Sequence, residues 1–388
     1  MYDDFFFPYE KAKLWTRNMI LLSVSNFLLY ASLYVLLPVL PLWIVRQWYC
    51  SYAEAGAAIA VFGLAMFLPG AFNSYLIDTF KRKSVCLITM LLFVAAGLLY
   101  PYVASIGLIA LLRAVQGGLF STITMTTGST LVIDVTAPRR RTDANIAFMW
   151  AGRFGMAAGL VLGIYIYPYW DFTYVIYAGA ALGALALLLI TGVSVPFRAP
   201  LNPPLFSLDR FLLPRTLWPG INMMMISFIL GVLIAHIYNE LFYICILIGF
   251  ILALVVSRTL LSHTSGRSEV ELGEAALIGG LLLLSFFNGL MNSYVAGILI
   301  GLGIALSASR FFVKMISLPM HCERGTGNNT YQLLWEAGIL SGFCFENLWA
   351  ENHPDTIYWI SLGVCVAGLV MYEVFTHPWY YRRMEEKE

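Results

Sequence analysis

Charged residues are scarce in this chain. Only 12% of its 388 residues are Asp, Glu, Lys or Arg, whereas 60% are hydrophobic. A soluble globular domain carries roughly 25% charged and 45–50% apolar residues. The composition therefore excludes an ordinary soluble domain. The net charge of +1 gives no sign of nucleic-acid binding, and we expect no nucleic-acid partner.

The usual signatures of enzymes and metal proteins are also missing. The six cysteines are scattered without metal-ligand spacing, and we interpret them as buried apolar residues rather than disulfides. The sequence contains no phosphate-binding glycine loop, no zinc-ligand helix and no nucleophile elbow. We therefore expect no enzymatic activity, no metal and no cofactor.

Long apolar runs separated by short polar gaps make up most of the sequence. Each run has roughly 18 to 25 residues, about enough for a helix to cross a 30 Å hydrocarbon core. A proline-rich polar stretch, 196–215, divides the chain into halves at 1–195 and 216–388. We predict an all-α membrane protein with six transmembrane helices in each half, near residues 17–45, 52–78, 84–103, 106–135, 143–167, 173–195, 214–238, 241–262, 271–291, 293–318, 326–350 and 356–376.

Lysine and arginine are concentrated in alternate loops. Most of the 23 basic residues lie in one set of segments, which includes both termini, whereas the other set contains only Arg46. Basic loops stay on the cytoplasmic side of a membrane, so both termini are predicted to be cytoplasmic. The short loops favour a prokaryotic protein, and we expect a monomer surrounded by lipid in a bacterial inner membrane.

Two segments resemble motifs of the major facilitator superfamily. Residues 74–83 carry Asp78 followed by a basic cluster, like the superfamily signature after the second helix, although Ser74 and Lys81 replace glycines. The segment RAVQGG at 113–118 matches the arginine–glutamine–glycine motif of the fourth helix. The resemblance implies two six-helix halves that rock about a central site and expose it to each side in turn.

A third segment is similar to the drug:proton antiporter-like branch of that superfamily. Gly155, Gly159 and Gly163 have the spacing of the exporters' glycine motif, but Leu160 stands where those exporters have proline. Small residues at this spacing also permit close helix packing, which is the interpretation we prefer.

Four basic residues fall inside the predicted spans and are candidates for function. A charge at the bilayer centre costs roughly 2.5–3.5 kcal/mol on insertion scales, so such residues are rarely without a purpose. By their distance from the helix ends, Arg153, Arg310 and Glu336 are expected to meet near the midplane. Arg113 lies nearer the outer face, and Lys314 is expected to extend its amine toward the cytoplasmic interface.

Each candidate admits two roles. For Arg113 and Gln116 the family motif implies proton coupling or substrate binding, and the alternative is a buried hydrogen-bond hub. Arg153 and Arg310 are expected to bind substrate or a carboxylate. Glu336 is the best protonatable group, although a permanent salt bridge with Arg310 is the alternative. The first helix lacks the acid that many proton-coupled drug exporters carry there, which argues against coupling.

Asp78 and Arg82 are predicted to form a conformational latch rather than a substrate site. A carboxylate at a helix end can pair with basic loops, and such a contact can break when the halves move.

We therefore expect a secondary transporter that exports small amphipathic or anionic organic molecules by alternating access, with proton coupling left open. An importer or facilitator of organic anions, a lipid or lysolipid flippase, and a sensor without transport are the alternatives. The excess of arginine over glutamate within the spans predicts a substrate with a negative or electron-rich group.

Overall fold

The structure, a computed structural model, describes residues 13–196, 202–261, 265–287, 289–320, 323–350 and 352–386. All regular structure within these ranges is helical. The α-helices have these bounds: α1 Arg17–Tyr34, α2 Leu40–Trp48, α3 Tyr52–Ala65, α4 Asn73–Thr79, α5 Arg82–Gly97, α6 Ile106–Thr126, α7 Val132–Val135, α8 Arg141–Tyr169, α9 Phe172–Thr191, α10 Pro214–His236, α11 Glu240–Thr259, α12 Gly266–Phe286, α13 Leu290–Ser317, α14 Arg324–Trp349, α15 Ile357–Met371 and α16 His377–Glu385. A π-helical segment, Thr127–Leu131, joins α6 to α7.

Eight helical segments of the described chain are long and apolar enough to cross a membrane. They are Tyr52–Thr79, Ile106–Val135, Pro138–Tyr169, Phe172–Thr191, Pro214–His236, Glu240–Thr259, Leu290–Ser317 and Ile357–Glu385. The chain is therefore a multi-pass membrane protein. The other four predicted spans contain α1, α5, α12 and α14, which are shorter or more polar. The count of twelve stays a prediction.

Prolines interrupt two of the spans that we predicted as single helices. The predicted span 17–45 is divided, because α1 ends at Tyr34, Pro38 lies in the turn that follows, and α2 begins at Leu40. The predicted span 52–78 is divided where Pro69 precedes a short 3-10 turn. Proline has no backbone N–H and clashes with the preceding turn, so each helix restarts after it.

The helices pack in two groups that correspond to the two halves of the sequence. In the N-terminal group, α1 packs against α8 and α9, α3 against α6, and α5 against α6 and α9. In the C-terminal group, α10 packs against α13, α14 and α15, and α13 also contacts α11 and α12. The two groups meet mainly where α3 contacts α14 and where α8 contacts α11. We call the end at which α5, α8, α10 and α14 begin the basic end.

The contact between α1 and α8 is unusually close because glycines line it. A Cβ added at Gly155 would lie 2.0 Å from the carbonyl oxygen of Phe27. Carbons added at Gly159 and Gly163 would lie 2.6 and 2.1 Å from other carbonyl oxygens of the same segment. Small residues thus let the two backbones touch, in agreement with the packing interpretation of this motif.

Candidate functional site

A cluster of buried polar side chains lies where the two halves meet. Its members come from α1, α8 and α14, and we call them the central cluster: Tyr30, Tyr34, Arg153, Gln332 and Glu336. Arg153 and Glu336 each lie twelve residues after the first residue of their helix. At about 1.5 Å per residue this is roughly 18 Å from the basic end, which is more than half of a hydrocarbon core about 30 Å thick.

Hydrogen bonds connect the two halves through this cluster. The Tyr34 hydroxyl donates to Oε2 of Glu336 at 2.6 Å. Nε2 of Gln332 donates to the Tyr30 hydroxyl at 2.9 Å. The rings of Tyr30 and Tyr34 stack with an interplanar angle of 10°. Each half thus presents two polar groups to the other at a spacing of four residues, which places both on one face of a helix.

Arg153 is held by aromatic rings rather than by a carboxylate. Its guanidinium carbon lies 3.6 Å from the centre of the Trp335 ring, and its Nη2 donates to the Tyr331 hydroxyl at 3.4 Å. A desolvated cation over an aromatic face gains about 2 kcal/mol, less than the cost of burying the charge. The side chain is 4% exposed and forms no salt bridge among the described residues.

Several atoms of the cluster make no hydrogen bond within the described chain. They are Nε and Nη1 of Arg153, Oε1 of Glu336, Oε1 of Gln332 and Nε1 of Trp335. A buried polar group without a partner costs roughly 1–3 kcal/mol. One buried cluster therefore contains both unpaired donors of a cation and an unpaired acceptor of a carboxyl group, and these are groups that a polar solute could satisfy.

Arg310 does not join this cluster, so the expected meeting with Glu336 is wrong. Its guanidinium forms a bidentate ion pair with Glu269 of α12. The sequence placed Glu269 in the loop before a span at 271–291, but α12 already begins at Gly266. Glu269 is thus a helical residue that packs against α13 and neutralises Arg310. Of the three residues that were expected to meet, Arg153 and Glu336 are the two that belong to the central cluster.

Arg113 and Gln116 form a hydrogen-bond hub within the N-terminal half. Nη1 of Arg113 donates to Oε1 of Gln116 at 3.4 Å, and the Tyr100 hydroxyl donates to the same oxygen at 2.7 Å. The guanidinium carbon of Arg113 lies 4.4 Å from the centre of the Phe62 ring. These contacts join α3, α6 and the turn after α5. This is the geometry expected of a buried hydrogen-bond hub, the alternative to proton coupling or substrate binding.

The amine of Lys314 lies against the last turns of the described chain. Its Nζ donates to the Tyr372 hydroxyl at 2.6 Å and lies 5.0 Å from the centre of the Tyr380 ring. The side chain is buried because the last helices of the chain cover it, a contact that the sequence of α13 alone does not reveal.

Asp78 and Arg82 lie at the basic end, and Asp78 also contacts Arg210, which precedes the C-terminal half. Oδ1 of Asp78 is 3.3 Å from Nη2 of Arg82 and 3.0 Å from Nη2 of Arg210. Arg82 also pairs with Asp134 at 2.6 Å. The backbone N–H of Arg210 donates to Oγ1 of Thr326 in α14 at 2.9 Å, so this arginine links Asp78 to the C-terminal half.

Arg210 is a partner that the sequence did not identify. Its backbone is left-handed, with φ 58°, a conformation that costs a residue other than glycine roughly 1–2 kcal/mol. Partial burial lowers the pKa of its guanidinium, and the Asp78 carboxylate opposes that effect. Contacts on both sides hold the residue in this conformation.

A separate cavity of about 640 Å³ lies between α8 of one half and α11, α12 and α13 of the other. Trp150, Phe154 and Leu306 form part of its apolar wall. Its charged lining residues are Arg140, Asp143, Arg258, Glu269 and Arg310. A cavity with an apolar wall and charged members suits an amphipathic molecule.

Comparisons with known proteins agree with this architecture. The high-affinity hexose transporters HXT6 and HXT7 of Saccharomyces cerevisiae are each 32% identical to the chain over 94 residues. That stretch is 24% of this chain and only 16% of either transporter. The match therefore covers a small part of those relatives.

Two solved structures have a similar fold over nearly their whole length. A crystal structure of the nucleoside transporter NupG has a TM-score of 0.66 and 15% identity, over 92% of this chain and 99% of that one. The human organic anion transporter MFSD10 (TETRAN) has a TM-score of 0.69 and 14% identity, over 92% and 98%. The family model of the Major Facilitator Superfamily matches residues 22–342, which is most of the sequence. The chain therefore belongs to the Major Facilitator Superfamily.

Proposed function

We propose that this protein is a secondary transporter that moves small organic anions across a membrane by alternating access, with Arg153 as the anion-binding group. The observation that carries the proposal is the buried guanidinium of Arg153 at the junction of the two halves, with Nε and Nη1 unbonded within the described chain. A buried charge needs compensation. An anionic group of the substrate supplies it and accepts hydrogen bonds from both nitrogens.

Glu336 couples the anion to a proton in this proposal. When Glu336 is ionised, its charge partly balances that of Arg153 within the cluster. When Glu336 is protonated, the cluster is left with a net positive charge and attracts an anion more strongly. Protonation of Glu336 and binding of the anion therefore favour one another, and linkage requires the effect to be reciprocal. A proton and an anion that load together travel in the same direction.

An exporter that exchanges an amphipathic anion for protons is the second candidate. The spacing of Gly155, Gly159 and Gly163 resembles that of the drug:proton antiporters and supports this branch. The cavity between α8 and α11 supports an amphipathic substrate, and a lipid flippase would need such a cavity to open laterally to lipid. The two candidates differ in the sign of coupling: inward protons would drive uptake in the first and efflux in the second.

Ligand binding tests the role of Arg153. The unfolding midpoint of the purified protein is measured against a panel of small carboxylates and their uncharged amides, and carboxylates alone should stabilise it. Arg153→Gln should weaken the best carboxylate at least tenfold, since a hydrogen bond to a charged group contributes roughly 1.5–3 kcal/mol. Arg383→Gln, which changes an exposed arginine, should have no effect. Equal stabilisation by amides, or an unchanged affinity in Arg153→Gln, would contradict the proposal.

Flux measurements test the coupling. Proteoliposomes loaded at neutral pH and diluted into acidic buffer should accumulate the labelled carboxylate above its equilibrium level. Glu336→Gln imitates the neutral acid, so it should bind the anion at every pH but fail to accumulate it. If labelled carboxylate instead leaves the liposomes under the same inward proton gradient, cotransport is excluded and the exporter, the second candidate, is supported.

A further inference from the structure

A second pocket, about 310 Å³ in volume, lies at the basic end between the two halves. The N-terminal half contributes Arg82 and Arg141 to its lining, whereas Arg210 and Arg324 come from the C-terminal side. Asp134 is the one carboxylate among the described residues that line it. Four guanidinium groups therefore converge on a small volume.

The carboxylates near this pocket do not neutralise it. Asp78 pairs with Arg82 and Arg210, and Asp134 pairs with Arg82. Asp209 lies 4.0 Å from Arg210 and accepts a hydrogen bond from the Thr326 hydroxyl, so three carboxylates face four guanidinium groups among the described residues. Arg141 and Arg324 have no salt bridge to any described residue, and Nε of each is buried without a hydrogen-bond partner. Like charges held together in a partly desolvated site repel, so the pocket has a positive excess that an anion would relieve.

The first turn of α14 adds backbone donors to the same pocket. Arg324 is the first residue of this helix of 26 residues, and Gly325 and Thr326 also line the pocket. The side chain of Glu323, at the N-cap of α14, makes no capping hydrogen bond, and its carboxylate lies 3.5 Å from Arg215. The first N–H groups of α14 and the positive end of its dipole therefore favour an anion at this position.

We propose that this pocket binds a phosphate group and that the bound group bridges the two halves at the basic end. Arginines donate in a planar fork that matches phosphate oxygens, and the N-terminus of a helix binds the same anion. A tetrahedral anion with several oxygens can reach Arg141 of one half and Arg324 of the other. Its occupancy stabilises the closed arrangement of this end. The site is separate from Arg153 and Glu336, and the proposal does not depend on the transported substrate.

The experiment uses the full chain in nanodiscs. In neutral phosphatidylcholine nanodiscs, inorganic phosphate and pyrophosphate are titrated by calorimetry. In a second arm, nanodiscs contain phosphatidic acid, and retained lipid is measured by native mass spectrometry. Saturable binding of pyrophosphate assigns the site to a soluble phosphate, whereas retention of phosphatidic acid alone assigns it to a lipid headgroup.

Matched variants decide whether the pocket is responsible. Arg141→Gln and Arg324→Gln should each weaken binding at least tenfold, whereas Arg382→Gln, at an exposed arginine, should leave it unchanged. Arg141→Lys and Arg324→Lys keep the charge and replace either glutamine variant if that variant does not fold. They should bind more weakly than the wild type because lysine cannot form the planar fork. Absence of binding in both arms, or binding unaffected by changes at Arg141 and Arg324, would overturn the proposal.

Discussion

The Asp78→Asn substitution tests whether the contact between Asp78 and Arg210 holds the two halves together at the basic end. Asparagine keeps the shape of the side chain and removes its charge. Arg82 still pairs with Asp134 at 2.6 Å after this change, so Arg210 is the arginine that loses an ionic partner. The other carboxylate near Arg210 is that of Asp209, at 4.0 Å. Arg210 would therefore lose the one ion pair that it forms with the described residues of the N-terminal half.

The exposure of this pair sets the size of the effect. The side chain of Asp78 is 9% exposed and that of Arg210 is 21% exposed, which lies between a surface pair and a buried one. Exposed pairs contribute up to about 1 kcal/mol, whereas breaking a buried pair costs about 3–5 kcal/mol. We expect about 2 kcal/mol, a shift of roughly 30-fold toward the open basic end. Because Arg210→Gln removes the same contact, the double variant should shift no further than either single one.

Electron paramagnetic resonance can measure this shift. Spin labels are placed at Ala137→Cys and Met320→Cys, one in each half and both exposed, after the natural cysteines are replaced by serine. The population at longer distances should rise in Asp78→Asn. Glu386→Gln is the control, because Glu386 pairs with Arg383 three residues away within one half and is 62% exposed. An unchanged distance distribution in Asp78→Asn would show that the contact between Asp78 and Arg210 does not hold the basic end closed.

Three further predictions concern packing, the central cluster and topology. Gly155→Ala should lower the unfolding midpoint in detergent, because its Cβ would lie 2.0 Å from the Phe27 carbonyl oxygen. Gly363→Ala, whose Cβ would have nothing within 4 Å, should raise the midpoint slightly. Equal midpoints for the two variants would contradict the packing of α1 on α8. Tyr34→Phe removes the hydrogen bond to Glu336, which contributes roughly 1.5–3 kcal/mol, so anion flux into liposomes should fall about tenfold. An unchanged rate would show that the Glu336 carboxyl group does not need this hydroxyl. Reporter enzymes fused at the C-terminus and after residue 205 should both be cytoplasmic, and an external C-terminus would refute the even number of spans.

The position of a helix could be predicted where the length and hydropathy of an apolar run are enough to identify it. The predicted spans 293–318 and 326–350 agree within a few residues with α13 and α14, Leu290–Ser317 and Arg324–Trp349. Apolar length does not reveal an interruption, so the break between α1 and α2 was missed although Pro38 is visible in the sequence. Membership in the superfamily was recognised from short motifs and is confirmed by the family match.

The central cluster was predicted in part. Distance along a helix gives the depth of a residue, and this was enough to place Arg153 and Glu336 at a similar level. The direction in which a side chain points depends on how its helix is rotated, and one sequence does not give that rotation. Arg310 was therefore assigned the wrong carboxylate, although Glu269 was available as a partner. Tyr34 could have been found from its spacing of four residues from Tyr30.

The glycine contact between α1 and α8 determines which parts of the binding site travel together. Two backbones that touch cannot slide past each other without a clash, so Tyr34 and Arg153 move as one body. Glu336 and Trp335 belong to α14, which packs closely on α10, so in the proposed alternating access they would move with the other half. A substrate held by Arg153 would stay with the first body, while the carboxyl and indole groups withdraw from it. A molecule long enough to bind Arg153 and Glu336 at once would prevent that separation, and we expect such bivalent compounds to inhibit the protein by arresting its motion.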